Sequence, residues 1–179
     1  VPSMPSRAAG FSGFFEDFSV RETLVHTVGK TVGDSEHMQL TQLVRNTHPL
    51  HFDELYCQQN SFAKTRVVYG GLVLGWVLSL ASRDLAGNAL LLVGLDEGAH
   101  PNGVVAGDTL YATSRVLAKE DAGPTAGRIT FRVVGTKNRP GNELLDRDLF
   151  GVELGKDAAT KLPEKVVEIT RTLLIRKRP

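Results

Sequence analysis

The segment from Leu72 to Ala81 constrains the fold most, because apolar residues occupy nearly every position of a stretch with helical character. A helix that is apolar all round must be enclosed by other structure, so the rest of the chain has to supply a surrounding layer. Gly71, Gly75 and Ser79 recur every four residues on one face, where small side chains would let another backbone approach closely. The apolar run is too short to span a bilayer.

Strand patterns on both sides of this helix identify the surrounding layer. The strand candidates are Thr23–Val32, Leu90–Leu95, Asp108–Ala118, Gly127–Thr136 and Val166–Lys177. In the fourth, apolar residues alternate with Arg and Thr, which is typical of a strand with two different faces. One strand, helices and then several long strands imply an antiparallel sheet wrapped around a long central helix, an α+β layout.

A further helix is predicted shortly after the first strand. Asp34 or Ser35 is expected to cap its start, since both residue types favour that position. The helix would run to about Val44 and present Leu40, Leu43 and Val44 as its apolar face, because these residues have i, i+3, i+4 spacing.

Composition limits the classes of partner. Apolar residues make up 41% of the 179 residues and charged residues 23%, which is typical of a globular protein rather than a disordered one. The net charge of +1 indicates neither a nucleic-acid partner nor a membrane surface. The five histidines lack zinc-type spacing, and the single cysteine, Cys57, is expected to be a packing residue, so no metal is predicted.

Domain organisation and compartment follow from the same features. Residues 1–12 are expected to be a flexible N-terminal segment, and residues 13–179 a single domain. One cysteine cannot form an internal disulfide, and residues 1–12 show no apolar core of signal-peptide type. We therefore expect a protein that is not secreted, located in the cytoplasm or in an organelle matrix such as that of a mitochondrion or peroxisome.

Three stretches carry a resemblance to a known family. They are Arg45–Asp53, similar to a motif Asp-x-Asn-Pro-(Leu/Ile/Val)-His; Tyr69–Leu72, at the place of His-Gly-(Met/Leu); and Val105–Leu110, similar to Pro-Gly-Asp-Thr-Leu. In these stretches the chain resembles the MaoC-like dehydratases and R-specific enoyl-CoA hydratases. Gly13–Phe18 and Arg171–Arg178 particularly resemble the halves of mesaconyl-CoA hydratases. The likeness covers residues 13–178, apart from an apparent insertion near Asp148–Glu164.

The resemblance implies a hot-dog fold and a hydro-lyase that adds water reversibly to trans-enoyl thioesters of coenzyme A. It implies no cofactor, because coenzyme A is part of the acyl-CoA substrate. Single hot-dog domains generally pair, so the resemblance also implies a homodimer or a higher multiple, with the site near the interface.

Matching positions supply the expected site residues. His51 takes the place of the motif histidine and is expected to act as the base, and Gly70 takes the place of the helix-start glycine whose N–H stabilises the oxyanion. Gly71 is expected to expose a further N–H. Asn46 stands where the family has Asp, and it could orient a water but cannot transfer a proton at neutral pH. His48 stands where the family has Asn, and could restore an ionisable group if it points inward.

Asp53 is a further candidate for a substitute carboxylate at the site. Structural interpretations compete with the functional ones: His51 or His48 as loop residues, and Asn46 as an ordinary helix-terminal residue. At the level of function, Asn46 raises the alternative of a non-catalytic acyl-thioester-binding protein or partner subunit. An acyl-CoA thioesterase is the third possibility, because it shares the fold.

Overall fold

One antiparallel sheet organises the part of the chain that the computed structural model describes, residues 13–153, 156–157 and 160–179. Its strands are β1 (Thr23–Thr31), β2 (Ala89–Ala99), β3 (Thr109–Asp121), β4 (Ala126–Lys137) and β5 (Lys165–Arg176). Their order in the sheet is β1-β3-β4-β5-β2, so β4 is central and β1 and β2 are the edges. All five predicted strands are confirmed, with ends that differ by a few residues. The predicted flexible segment 1–12 lies outside the described residues.

Three α-helices lie between β1 and β2: α1 (Asp34–Leu43), α2 (Glu54–Asn60) and α3 (Gly70–Leu85). A short 3₁₀ turn, Pro49–His51, joins α1 to α2. Within the described ranges, no helix is both long and apolar enough to cross a membrane.

Helix α3 lies on one face of the sheet and forms the centre of the main core. Its buried side chains recur every four residues: Val73, Val77, Ala81 and Leu85. The prediction that this helix is enclosed on every side is wrong for the single chain, because the sheet covers only one side of it. Gly71, Gly75 and Ser79 lie on the exposed side, and no atom lies within 4 Å of a Cβ built on Gly75.

Helix α1 packs through a face that differs from the predicted one. Gly33, not Asp34 or Ser35, is its N-cap. His37 and Thr41 are its buried residues, whereas Leu43 and Val44 are 77% and 55% exposed at its end. Thr41 can be buried because its hydroxyl donates a hydrogen bond to the His37 carbonyl. A prediction from apolar spacing takes no account of such a bond.

The segment that follows β4 forms a second, smaller core on the other side of the sheet. Val134 of β4 packs there against Leu144, Leu149 and Leu162, so the apparent insertion is partly an apolar cover. A buried ion pair lies close by: Lys165 Nζ is 2.5 Å from Glu168 Oε2, and it also donates to the Gly151 carbonyl at 2.6 Å. Burial lowers the pKa of Lys165, and the pairing with Glu168 opposes that effect.

The edge strand β2 exposes a continuous set of large apolar side chains. They are Leu90, Leu91, Leu92, Val93 and Leu95, each between 40% and 59% exposed. One long side of β2 pairs with β5, and its other side lies at the edge of the sheet. An edge of this kind offers unpaired backbone groups together with an apolar surface.

Candidate functional site

A cavity of about 380 Å³ lies where the 3₁₀ turn, the start of α3 and the segment after β2 meet. Its volume falls within the usual range of small-molecule sites. The lining residues that matter most for its chemistry are His51, Val67, Gly70, Val73, His100 and Val104. Two imidazole rings and a helix N-terminus therefore face an otherwise largely apolar space.

The orientation of His51 is determined by the backbone of the segment before α3. Its Nδ1 lies 2.7 Å from the Val67 carbonyl oxygen. A carbonyl oxygen only accepts hydrogen bonds, so Nδ1 must carry the proton and, in the neutral ring, Nε2 keeps its lone pair. The Val67 N–H donates in turn to the Leu50 carbonyl at 3.1 Å, which ties the turn to this segment. The arrangement leaves Nε2 as the ring nitrogen able to accept a proton.

The start of α3 supplies hydrogen-bond donors to the same cavity. Gly70 is the first residue of this 16-residue helix, whose first-turn N–H groups have no acceptor within the helix. The helix N-terminus also carries partial positive charge, which favours an anionic ligand atom. Gly71 does not line the cavity: a Cβ on Gly71 would lie 2.6 Å from the Tyr69 ring, which covers that position.

Asn46 and His48 make hydrogen bonds within their own loop and do not line the cavity. The side-chain oxygen of Asn46 accepts from the His48 N–H at 3.0 Å, and the Asn46 N–H donates to the Thr41 carbonyl at 3.2 Å. His48 is exposed, and its Nδ1 accepts from the Leu50 N–H at 3.2 Å, which caps the 3₁₀ turn. The rings of His48 and His51 are 6.1 Å apart, centroid to centroid.

Asp53 also lies away from the cavity. It is exposed and is the N-cap of α2, where its Oδ1 accepts from the Tyr56 N–H at 2.9 Å. The structure thus brings His51 and Gly70 together among the predicted site residues. It places Asn46, His48, Gly71 and Asp53 around them rather than in the cavity, and their roles remain predictions.

His100 is a site residue that the motif comparison missed. It follows β2 directly, and its Nδ1 lies 3.2 Å from the Val166 carbonyl oxygen of β5. Its Nε2 lies 3.1 Å from the position that a Cβ on Gly70 would occupy, so the ring stands over the start of α3. No local pattern marks His100, because it belongs to none of the three stretches that carry the family resemblance.

A third histidine, His37, is buried behind the site on α1. In the described structure neither of its ring nitrogens has a hydrogen-bond partner, although Nε2 lies 3.5 Å from Asp34 Oδ1. Burial lowers the pKa of His37, the charge of Asp34 opposes that shift, and the positive charge of Arg66 adds to it. The site region therefore favours a neutral His37.

The described part of the chain offers no set of side chains that could bind a metal ion. No group of three or more His, Cys, Asp or Glu side chains in these residues is arranged to hold a metal ion. The buried thiol of Cys57 contacts the Leu50 carbonyl at 3.2 Å, and burial raises the pKa of this thiol. Cys57 therefore supports the turn that carries His51, as a packing residue would.

Comparison with known proteins identifies the group to which this fold and cavity belong. The chain is 39% identical over 145 residues to beta-methylmalyl-CoA dehydratase of Chloroflexus aurantiacus, matching 80% of the chain and 41% of that protein. It is 42% identical over 123 residues to mesaconyl-CoA hydratase of Cereibacter sphaeroides, matching 68% of the chain and 34% of that protein. The chain thus spans less than half the length of these curated relatives. No known protein-family profile matches it.

Solved structures agree with the fold. A MaoC domain dehydratase from Chloroflexus aurantiacus superposes with a TM-score of 0.79 and 32% identity, over 96% of this chain and 46% of that one. A Mycobacterium tuberculosis protein with a double hot-dog fold superposes with a TM-score of 0.71 and 16% identity, over 93% and 45%. The antiparallel sheet around α3 is therefore a hot-dog fold. The chain belongs to the MaoC-like dehydratase family.

Proposed function

We propose that this chain is a hydro-lyase that adds water reversibly to a trans-enoyl-CoA thioester. The observation that carries the proposal is the position of His51, whose Nδ1 is held by the Val67 carbonyl and whose ring lines a cavity at the N-terminus of α3. The names of the two relatives, a CoA dehydratase and a CoA hydratase, support the same reaction class.

The proposed reaction needs a base, a proton donor and an oxyanion site. His51 Nε2 takes a proton from water as the oxygen forms a bond to the β-carbon of the enoyl group. The electrons of the double bond move towards the thioester, whose carbonyl becomes enolate-like. The His51 imidazolium then returns the proton to the α-carbon, so that H and OH have been added overall and the histidine is neutral again. No cofactor takes part in this scheme.

The Gly70 N–H is the proposed donor to the thioester oxygen. It lines the cavity at the positive end of α3, where developing negative charge is stabilised most. Gly71 is the second candidate donor, although it does not line the cavity. We assign Asn46 and His48 to the construction of the loop that presents His51, and Asp53 to capping α2.

A direct test uses crotonyl-CoA and mesaconyl-CoA as substrates and follows the loss of enoyl absorbance. His51→Ala is expected to lower kcat by at least about 10²-fold, the usual contribution of a positioned base. His48→Ala is the matched control, because His48 is exposed and lies on the same turn. Equal activity of wild type and His51→Ala would remove His51 from the mechanism. A thiol reagent in the same assay would reveal thioesterase activity as release of free coenzyme A.

Asn46 favours a second candidate function, a non-catalytic acyl-thioester-binding protein or partner subunit. An amide replaces the carboxylate of the family motif, and an amide cannot transfer a proton at neutral pH. Asn46→Asp separates the two candidates. Turnover by the native chain at an ordinary enzymatic rate would exclude the non-catalytic role, whereas activity only in the Asp variant would exclude the hydro-lyase.

For assembly, we propose that a second hot-dog unit, supplied by another copy of this chain, pairs along β2. The exposed apolar side chains of β2 and the exposed small-residue face of α3 both favour such a partner. Leu91, 59% exposed, is the most exposed of the apolar β2 residues, so Leu91→Lys is expected to shift a dimer towards monomer in light scattering. A wild-type chain that is monomeric at working concentration would contradict the proposal. Residues 13–179 are proposed to form one domain in each copy.

A further inference from the structure

The cavity contains two imidazole rings that are held in the same way. His51 donates from Nδ1 to the Val67 carbonyl, and His100 donates from Nδ1 to the Val166 carbonyl. In each neutral ring the remaining nitrogen, Nε2, has a lone pair and accepts hydrogen bonds only. None of the described hydrogen bonds involves Nε2 of either ring.

We propose that His100 Nε2 orients the attacking water, as the second acceptor beside His51. This inference rests on the proposed hydro-lyase function and names a residue that lies outside the motif. A water molecule has two hydrogens and, when both are donated to fixed acceptors, its lone pairs point in a defined direction. His51 and His100 both line the cavity beside Gly70, so a water that they hold lies next to the place where the enoyl thioester would bind.

The structure explains why this task does not fall to Asn46. The Asn46 side-chain oxygen already accepts from the His48 N–H at 3.0 Å, and Asn46 does not line the cavity. His100 does line it, and its Nε2 stands 3.1 Å from the Cβ position of Gly70. A ring nitrogen from a different strand end thus provides the acceptor that a motif carboxylate would otherwise supply.

The hydrogen-bond chemistry of His100 also excludes the opposite assignment. In the neutral ring, Nε2 has no proton to donate, so it cannot hold the enolate oxygen of the thioester. That oxygen needs donors, which the start of α3 supplies through Gly70. The proton itself moves between water, His51 and the α-carbon. His100 holds the second water hydrogen without taking it, and no further reactant is required.

Two amide variants separate water positioning from a purely structural role. In His100→Asn, the side-chain NH₂ lies near the place of Nδ1 and can still donate to the Val166 carbonyl, but the amide oxygen lies near the place of Cδ2, so no acceptor reaches the position of Nε2. In His100→Gln, the longer side chain can place its oxygen near the position of Nε2 and so restores an acceptor. Both variants, His100→Ala and the wild type are assayed with crotonyl-CoA and mesaconyl-CoA, with thermal melts to verify folding.

Water positioning predicts that His100→Ala and His100→Asn lower kcat by about 10²-fold, with KM changed by less than about threefold. His100→Gln is expected to recover at least about tenfold of that loss. A folded His100→Asn with wild-type kcat would overturn the inference, because the bond to Val166 alone would then suffice, and the proposed function would stand. A wild-type chain that hydrates neither substrate would overturn the proposed function and this inference with it.

Discussion

Replacing Gly135 with alanine is expected to destabilise the fold, because side chains of α3 and β5 pack directly against this position of β4. A Cβ on Gly135 would lie 2.5 Å from a Val77 methyl carbon and 2.7 Å from a Val167 methyl carbon, whereas ordinary contact begins at 3.4 Å. Both valines are buried and β-branched, so neither side chain can rotate away cheaply. Overpacking of this severity costs about 2–3 kcal/mol.

A favourable effect partly offsets that cost. Alanine loses less conformational freedom than glycine when a strand forms, by about 0.5–1 kcal/mol. The net loss in free energy of unfolding is therefore about 1–2.5 kcal/mol, which lowers Tm by about 2–10 °C for a chain of this size. The assay is urea unfolding followed by circular dichroism, where the midpoint should fall while the slope stays unchanged.

Gly75 provides the matched control on the opposite side of α3. Within one chain a Cβ there meets nothing within 4 Å, so Gly75→Ala should raise the stability of the unpaired chain by up to about 1 kcal/mol through helix propensity. The two substitutions are chemically identical and differ only in surroundings. A Gly135→Ala variant at least as stable as the wild type would refute the packing geometry on which this prediction depends.

Three further predictions concern buried and capping polar groups. Lys165→Met should cost about 2–3 kcal/mol in a urea melt, because the buried Glu168 carboxylate loses its closest cation and keeps only Arg132, 3.3 Å away. Burial lowers the pKa of His37 in the folded state, so the unfolded chain takes up a proton on this histidine at a higher pH than the folded chain does. The free energy of unfolding therefore falls as pH drops below the ordinary histidine range. His37→Leu should flatten that part of a curve of stability against pH, and an unchanged slope would contradict the assignment. Asp53→Ala should cost about 1 kcal/mol by removing the cap that accepts from Tyr56, and Asp53→Asn should restore most of it.

The strands could be predicted because their pattern is local. Alternation along Gly127–Thr136 marks β4 whatever the rest of the chain does, since successive side chains of a strand point to opposite faces. The faces of helices were less predictable. Apolar spacing indicated Leu43 and Val44 as the buried face of α1, yet the buried residues are His37 and Thr41. Leu43 and Val44 lie at the exposed end of the helix. Thr41 can be buried because its hydroxyl donates a hydrogen bond to the His37 carbonyl.

The candidate site could likewise be predicted only in part. The motif determined His51 and Gly70 as a pair, because the loop and the helix start that carry them are short segments with recognisable residues. The motif could not tell which side chains of the loop line the cavity. Asn46 and His48 belong to the same stretch as His51, and their hydrogen bonds to neighbouring backbone groups direct them away from the cavity.

The family, the strands, the central helix and the position of His51 could all be predicted, because each depends on residue types at fixed local spacing. That His100 shares the cavity with His51 became apparent only from the folded structure. The position of the His100 ring depends on the Val166 carbonyl of β5, which holds the ring over Gly70. Val166 is distant in the chain from both His100 and Gly70. Local spacing does not encode such a contact, because it arises only when β5 pairs with β2 in the folded sheet.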